Sequence, residues 1–219
     1  MTDPLSEPDA LRAAAETMRQ VRERCVWSQR ITHRDLVPYL IEEAHELIDA
    51  VERDDRIEMR EELGDLLWQV LFHAAITAQS PSDPFDIDDV ARGLTEKMVR
   101  RHPHVFGDAV ATTPDEVLVH WNAAKAAEKR ERRSVLDGVP AGMPALARAH
   151  KLLGRASSVV EPAEGASAQV GQPASEAELG DALLALVAAA REQGWDAERA
   201  LRERLRLLES EVRAAEQAG

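Results

Sequence analysis

The sequence predicts an all-α protein, and two observations carry this prediction. Alanine, leucine, glutamate and arginine fill the long segments, and the apolar residues recur at the three- and four-residue spacing of a helix. Runs of β-branched or aromatic residues with the two-residue spacing of a strand are nearly absent. With 44% hydrophobic and 31% charged residues the chain is able to bury a core, which excludes wholesale disorder.

Three helices are predicted in the first third of the chain. The first covers residues 10–24. The second begins near Thr32, because Thr32 and Asp35 have the spacing of a capping box. The third covers residues 56–79. The apolar residues expected to be buried are Leu36, Leu40, Ala44, Leu47, Ile48 and Val51 on the second helix, and Met59, Leu63, Leu66, Leu67, Val70, Leu71 and Ala74 on the third.

Further helices follow after turns rich in proline and glycine. Asp86 is expected to cap a fourth helix that ends before Pro103, and Thr113, Pro114 and Glu116 have the pattern of a capped start for a fifth. Two more helices are predicted near residues 176–192 and 196–215. We interpret the chain as a first domain over 1–133, a connecting turn and helix over 134–156, a flexible linker over 157–175 and a second helical half over 176–219.

A four-residue motif occurs twice and predicts two related halves. Glu62-Leu63-Gly64-Asp65 recurs 116 positions later as Glu178-Leu179-Gly180-Asp181. Because Gly64 is unfavourable inside a helix, we expect another helix to approach closely at that point. The same offset places Ser158, Val159 and Pro162 where the first half has acids, so the second half is expected to be degenerate and structural.

Charge and composition exclude several classes of function. A net charge of −13 and a pI near 5.0 argue against coating nucleic acid, which needs a basic face. The lone Cys25 excludes an intrachain disulfide framework. No secretory signal is visible over residues 1–9, and no apolar run reaches the roughly 18 residues of a membrane span. We therefore expect a soluble, cytoplasmic protein.

Acidic residues on the second and third helices are expected to converge. Glu42 and Glu43 lie within about 40–60° of Glu46 on one helical face, and Glu62 and Asp65 lie about 60° apart on the next helix. Two such charges at 4 Å repel by roughly 4 kcal/mol, so a bound cation is expected. All-oxygen ligands favour Mg²⁺, with Mn²⁺ as a substitute. The alternative is a solvated acidic face.

Two other metal sites fit the sequence poorly. A di-iron bundle requires Glu-x-x-His on two helices, but only Glu42 and His45 have that spacing, since Val70 stands where His73 would need a glutamate. A His-Glu-x-x-His zinc motif fails because Asp49 follows His45 at the required distance.

Several motifs together resemble the MazG family of nucleoside triphosphate pyrophosphohydrolases. They are Glu42-Glu43-x-x-Glu46 followed by Glu62-x-x-Asp65, and the segments 25–27, 61–67, 100–106 and 136–140. The resemblance covers about residues 19–156. It implies a MazG-like helical bundle that forms a homodimer, binds Mg²⁺ and hydrolyses nucleoside triphosphates between the α and β phosphates. The products are a nucleoside monophosphate and pyrophosphate.

The resemblance also implies roles for individual residues. Metal ligands would be Glu43, Glu46, Glu62 and Asp65, and Glu42 is a candidate general base. Glu58, Glu61 and Glu42 are candidates to hold a further ion or to orient water. Lys97 and Arg101 would meet the triphosphate, while Trp121 and Lys125 would close over the nucleotide.

Two alternatives remain open at this stage. One is a related all-α triphosphatase specialised for a single deoxynucleotide. The other is a helical scaffold or regulatory partner whose acids bind only a structural ion. The preferred function is removal of unwanted nucleoside triphosphates, including non-standard or damaged ones, without nucleic acid or membrane as a partner.

Overall fold

The computed structural model describes residues 9–128, 134–156 and 173–218. Within these ranges there are nine α-helices and no β-strand, which confirms the predicted all-α class. The predicted linker over 157–175 lies mostly outside the described residues, as does the charged segment 129–133. No described helix is both long enough and apolar enough to span a membrane.

The contacts divide the chain into two units, one ending at Glu128 and the other following it. Unit 1 contains six helices: α1 (Ala10–Arg24), α2 (Val37–Glu52), α3 (Arg56–Ala78), α4 (Ile87–Arg101), α5 (Pro103–Phe106) and α6 (Pro114–Ala127). Unit 2 contains α7 (Ala145–Ala156), α8 (Glu176–Glu192) and α9 (Ala197–Ala218). The domain boundaries expected from the sequence stay a prediction.

Helix α2 begins later than the sequence pattern predicts. Thr32 and Asp35 do bond reciprocally: the Thr32 amide donates to Asp35 Oδ2 at 3.0 Å, and the Asp35 amide to Thr32 Oγ1 at 3.4 Å. These bonds close a turn, and the helix starts only at Val37. Pro38 explains the difference, because a helix running from Thr32 would set its ring against the carbonyl of Arg34. In the first turn of α2 the proline is tolerated.

Helices α2 and α3 form a hairpin around a three-residue turn. Asp54 adopts a left-handed backbone conformation with φ of 55°. Asp55 then caps α3, its Oδ1 accepting from the amides of Ile57 at 3.0 Å and Glu58 at 3.1 Å. The two helices pack along their length, as the short connection predicted.

The core of unit 1 lies where α1 and the start of α2 pack on α3. Its buried side chains are Met18, Leu36, Leu71 and Phe72. The prediction that Leu40, Val51, Leu63 and Val70 are also buried is wrong, since they are 38%, 54%, 52% and 45% exposed. Leu63 and Val70 lie two turns apart on a side of α3 that the other described helices of unit 1 leave open.

Capping residues fix the starts of α4 and α6 as the sequence predicted. Asp86 Oδ1 accepts from the Asp89 amide at 3.0 Å, and Asp89 returns the bond to the Asp86 amide at 3.1 Å. Thr113 and Glu116 form the equivalent capping box for α6. Helix α4 packs on α3 and on α6, which links the second helix pair to the hairpin.

In unit 2 the three helices pack against one another, and α8 carries the repeated motif. At the 116-residue offset Val187 of α8 is buried like Leu71 of α3, whereas the positions that match the other buried residues of α3 are only half-buried. The interpretation of two related halves stays a prediction. The expected close approach at the repeated glycine is wrong, because no atom of another described helix lies within 4 Å of a Cβ placed on Gly64 or Gly180.

Candidate active site

The hairpin brings three of the predicted carboxylates together. Glu43 on α2 and Glu62 and Asp65 on α3 each present one oxygen, and these atoms lie within 4.8 Å of one another. Among the residues that the structure describes, this is the group of potential ligands close enough to hold a metal ion. Glu43 and Glu62 are half-buried, whereas Asp65 is exposed at the mouth. We call these three residues the carboxylate cluster.

Burial and mutual repulsion perturb the ionisation of the carboxylate cluster. Desolvation raises the pKa of Glu43, and the negative charges of Asp65, Glu46, Glu62 and Glu42 raise it further. Desolvation also raises the pKa of Glu62, together with the charges of Glu46, Asp65, Glu61 and Glu58. Each proton is retained more tightly because burial and the neighbouring negative charges both disfavour the ionised form.

The donor set fits a hard divalent cation. Oε2 of Glu62 is buried and has no hydrogen-bond partner, an arrangement that costs free energy unless a cation supplies one. The three groups offer only carboxylate oxygens, which Mg²⁺ prefers over the nitrogen and sulfur ligands of zinc sites.

Glu42 and Glu46 lie at the rim of the carboxylate cluster on α2. Both are exposed, and Glu46 is near enough to influence the pKa of both Glu43 and Glu62. Its oxygens are not part of the close group, so its role as a metal ligand stays a prediction. Glu42 is exposed next to Glu43 on α2, and its negative charge contributes to the raised pKa of Glu43.

Glu58 and Glu61 flank the cluster on α3. Glu58 forms an ion pair with Arg53, so its carboxylate is already engaged in this structure. Glu61 is exposed beside Glu62. Their predicted part in holding a further ion or orienting water stays a prediction.

The histidines take positions that the sequence did not reveal. His45 Nδ1 lies 2.6 Å from the carbonyl oxygen of Ile41 on its own helix, so that nitrogen is engaged locally. His33 and His73 meet through their Nδ1 atoms at 2.7 Å, and His33 Nε2 lies 3.2 Å from Thr77 Oγ1. This contact ties the segment before α2 to α3. It joins residues 40 positions apart, a separation that helical spacing does not address.

A second group of charged and aromatic side chains lies where α4 ends beside α6. The guanidinium of Arg101 stacks over the indole of Trp121 at 5.0 Å from its centroid. Arg101 Nη2 also donates to Glu128 Oε2 at 2.5 Å, and Arg100 Nη2 lies 2.8 Å from Glu128 Oε1. The sequence singled out Arg101 and Trp121 but missed Arg100 and Glu128, because a contact across 27 or 28 residues leaves no local pattern.

The two predicted lysines belong to the same pair of helices. Lys97 lies one turn before Arg101 on α4, Lys125 lies one turn after Trp121 on α6, and both are half-buried. The structure therefore brings together Arg101 and Trp121. Whether these groups and the carboxylate cluster meet one nucleotide stays a prediction.

We expect Mg²⁺ to stabilise the protein more at neutral than at acidic pH. A carboxyl group whose pKa is raised in the folded state stabilises the fold below its ordinary pKa, and this contribution is lost as the pH rises through the raised value. The metal-free cluster therefore destabilises the protein near neutrality. A Mg²⁺ concentration roughly ten times the dissociation constant should restore about 1.4 kcal/mol, measured by thermal unfolding.

The variant Glu43→Gln tests the same argument, because removing the charge of Glu43 should stabilise the metal-free protein. It should unfold at a higher temperature than the wild type without metal near neutral pH, and should lose most of the Mg²⁺-dependent stabilisation. Asp181→Asn removes a charge at an exposed position of unit 2 and should keep the full Mg²⁺ response. Equal Mg²⁺ responses in the wild type and Glu43→Gln would contradict the assignment.

Clustered carboxylates on a helical hairpin, with guanidinium groups on the adjoining helix pair, define a class: an all-α, metal-dependent hydrolase of phosphate compounds. Residues 31–106 match the MazG nucleotide pyrophosphohydrolase domain. This range includes all seven predicted carboxylates of α2 and α3, as well as Lys97 and Arg101, and ends before Trp121.

Several bacterial proteins are similar over most of the chain. A nucleoside triphosphate pyrophosphohydrolase of Escherichia coli K12 is 34% identical over 233 residues, covering 97% of this chain and 88% of that protein. An uncharacterised 26.1 kDa protein of Streptomyces cacaoi is 48% identical over 204 residues, covering 92% of this chain and 80% of that protein. A crystal structure of a mazG-related protein from Thermotoga maritima has a TM-score of 0.46 and 23% identity, covering 52% of this chain and 97% of that one.

The chain belongs to the MazG family of nucleotide pyrophosphohydrolases. This membership confirms the family and the enzyme class that the sequence motifs predicted.

Proposed function

We propose that the protein hydrolyses nucleoside triphosphates between the α and β phosphates, releasing a nucleoside monophosphate and pyrophosphate, with Mg²⁺ as the cofactor. The observation that carries the proposal is the carboxylate cluster, in which three oxygens lie within 4.8 Å and one oxygen of Glu62 is buried without a partner. Such a site binds a cation, and a cation is what an acidic protein needs in order to accept a polyanionic substrate.

Glu43, Glu62 and Asp65 would hold the ion, with Glu46 completing the set from the rim. When bound, Mg²⁺ supplies the positive charge that polarises the α-phosphoryl group and offsets the charge of the triphosphate. Mn²⁺ is expected to substitute, because it prefers the same oxygen ligands.

The other residues of the site would move protons and place the substrate. Glu42 is exposed next to Glu43 on α2, where its carboxylate would accept a proton from an attacking water. Lys97 and Arg101 would bind the leaving pyrophosphate, and the planar guanidinium of Arg101 suits two phosphate oxygens at once. Trp121 and Lys125 would close over the nucleotide.

We propose a role in clearing non-standard or damaged nucleoside triphosphates from the cytoplasmic pool. Trp121 would recognise the base by stacking, an interaction that every base allows, so a broad range of substrates is expected. Trp121 and His102 lie in a T-shaped arrangement with ring centroids 5.2 Å apart, so the indole contacts two neighbours, Arg101 and His102.

A panel of standard and oxidised triphosphates with a pyrophosphate-specific assay tests this function. We expect Mg²⁺-dependent pyrophosphate release from several members of the panel. Release of orthophosphate alone would contradict the proposed cleavage position. Turnover of a single deoxynucleotide would favour the specialised triphosphatase. Equal heats of Mg²⁺ binding to the wild type and Glu43→Gln, without turnover, would favour the scaffold.

We also propose that the protein is a homodimer. Val37, Ile41 and Val51 are exposed on one side of α2, opposite to Glu42 and Glu46, and Leu63 and Val70 are exposed on α3. Large apolar residues on two adjoining helices favour a second copy of this chain as the cover. Light scattering should give twice the 24.2 kDa mass of one chain, and a monomer mass would overturn the proposal.

A further inference from the structure

Glu128, at the end of α6, is held by two guanidinium groups of α4. Arg100 Nε donates to Glu128 Oε1 at 2.9 Å, and Arg101 donates to Oε2 from Nη2 at 2.5 Å and from Nε at 3.2 Å. Both oxygens of the carboxylate are therefore engaged in charge-assisted hydrogen bonds, the geometry in which a guanidinium also binds phosphate.

This contact is more sheltered than an ordinary surface ion pair. The side chains of Arg101 and Glu128 are 14% and 19% exposed. The indole of Trp121 packs against a face of the Arg101 guanidinium. The hydrogen bond from Arg101 lowers the pKa of Glu128 to about 2, with a further contribution from Arg100. Glu128 is consequently an anion at any physiological pH.

The surroundings of Glu128 are locally basic in a chain that carries a net charge of −13. Lys97 lies one turn before Arg100 and Arg101 on α4, and Lys125 lies one turn before Glu128 on α6. A cluster of basic side chains in an acidic protein attracts a polyanionic ligand. In this structure, the anion bound by the two arginines is the carboxylate of Glu128, a residue of the protein itself.

We propose that Arg100 and Arg101 form a polyphosphate subsite and that Glu128 occupies it in the free protein as an internal competitor. The inference rests on the proposed function in one respect, namely that the ligand is the triphosphate group of the substrate. A phosphate oxygen pair replaces the Glu128 carboxylate, Arg101 keeps its stacking on Trp121, and Glu128 is released to solvent. Arg100 becomes a binding residue. The ligand must bind the two arginines tightly enough to displace the Glu128 carboxylate.

The competitor role and a purely structural role predict opposite effects of removing the charge. If Glu128 competes, the site is open in only a fraction of the free molecules, and the apparent affinity is reduced by that fraction. Removing the charge then strengthens ligand binding. If Glu128 only orders the arginines for the ligand, removing its charge weakens binding.

Calorimetry with inorganic tripolyphosphate, on the full chain with all divalent ions chelated, separates the two roles. Glu128→Gln keeps the shape of the side chain and removes its charge, and should lower the dissociation constant about five- to tenfold. Arg100→Gln should raise it by a similar factor. An unchanged or higher dissociation constant in Glu128→Gln, or no binding of tripolyphosphate to either protein, would overturn the inference.

Glu96→Gln is the matched control for a change in overall charge. Glu96 is exposed next to Lys97 on α4, the helix that carries the two arginines, and its substitution removes one negative charge, as Glu128→Gln does. Its effect should be well below that of Glu128→Gln, because an exposed charge is screened. Equal effects of the two substitutions would show that net charge alone is responsible and would also overturn the inference.

The outcome is distinguishable from failure of the proposed function. Tighter tripolyphosphate binding by Glu128→Gln, in a protein that releases no pyrophosphate, would support the subsite and contradict the reaction. Pyrophosphate release by a protein in which Glu128→Gln leaves both tripolyphosphate affinity and KM unchanged would support the reaction and contradict the subsite.

Discussion

Asp65→Asn is expected to lower the rate of Mg²⁺-dependent pyrophosphate release by about 1,000-fold, equivalent to roughly 4 kcal/mol of transition-state stabilisation. The carboxylate of Asp65 lies within 4.8 Å of those of Glu43 and Glu62, and it is the exposed member of the three. Asparagine keeps the size of the side chain but removes one of the charges that hold the ion. Loss of the ion leaves the triphosphate facing uncompensated carboxylates.

The internal repeat supplies the matched control. Asp181 occupies the equivalent position of the second Glu-Leu-Gly-Asp motif, on the exposed surface of α8. Asp181→Asn should leave the rate within about twofold of the wild type, because isolated surface substitutions change little. Initial rates at saturating Mg²⁺ give the comparison. Similar rates for Asp65→Asn and the wild type would show that Asp65 is not part of the catalytic site.

Arg22→Met is expected to destabilise the protein by about 2–3 kcal/mol and to lower the thermal midpoint by about 10 °C. Arg22 is only 8% exposed, and its guanidinium donates to the carbonyl oxygens of Ser28 and Ile31 and to Gln79 Oε1 at 3.0 Å. It therefore ties α1 to the segment before α2 and to the residue that ends α3. Methionine fills the space but leaves these acceptors without a donor.

Arg12→Met is the control for a general loss of positive charge from α1. Arg12 lies on the same helix with an exposed side chain, and its ion pair with Asp9 at 3.5 Å is solvated. Its loss should change the free energy of unfolding by less than about 0.5 kcal/mol. Thermal unfolding of the two variants under identical conditions gives the answer. Equal midpoints would show that the Arg22 hydrogen bonds contribute no net stability.

Local sequence patterns predicted the helices well because capping is a local interaction. Asp86 and Thr113 each bond to an amide three residues ahead, so the residues that decide the start of the helix are adjacent in the sequence. The exception is α2, where the capping pattern at Thr32 is satisfied in a turn and Pro38 delays the helix. Two local rules conflict there, and the steric restriction of proline overrides the capping preference.

The carboxylate cluster was predictable for a related reason. Helical periodicity fixes which side chains of α2 and α3 share a face, and a short turn fixes the pairing of the helices. Glu43, Glu62 and Asp65 follow from these two facts. The contact of Arg100 and Arg101 with Glu128 depends on how α4 packs on α6, which no local pattern determines.

Burial was predicted less well than helix position. Periodicity identifies an apolar stripe but does not reveal which chain covers it. Leu63 and Val70 belong to such a stripe on α3 and remain exposed within one chain, whereas Leu71, next to Val70, is buried against α1. The sequence pattern therefore assigned Leu63 and Val70 to the core of a single chain. In the proposed dimer, a second copy of the chain covers them instead.

The three-residue turn between α2 and α3 has a consequence for how this protein is able to evolve. It contains no group that acts on a substrate, yet it determines the longitudinal offset between Glu43 and the acids of α3. One helical residue inserted in α3 between this turn and Glu62 would displace Glu62 and Asp65 by about 1.5 Å and rotate them by about 100°, separating the three oxygens. The helical segment that joins the turn to Glu62 should therefore tolerate almost no change in length, and at Asp54 the left-handed backbone favours small residues such as glycine or asparagine.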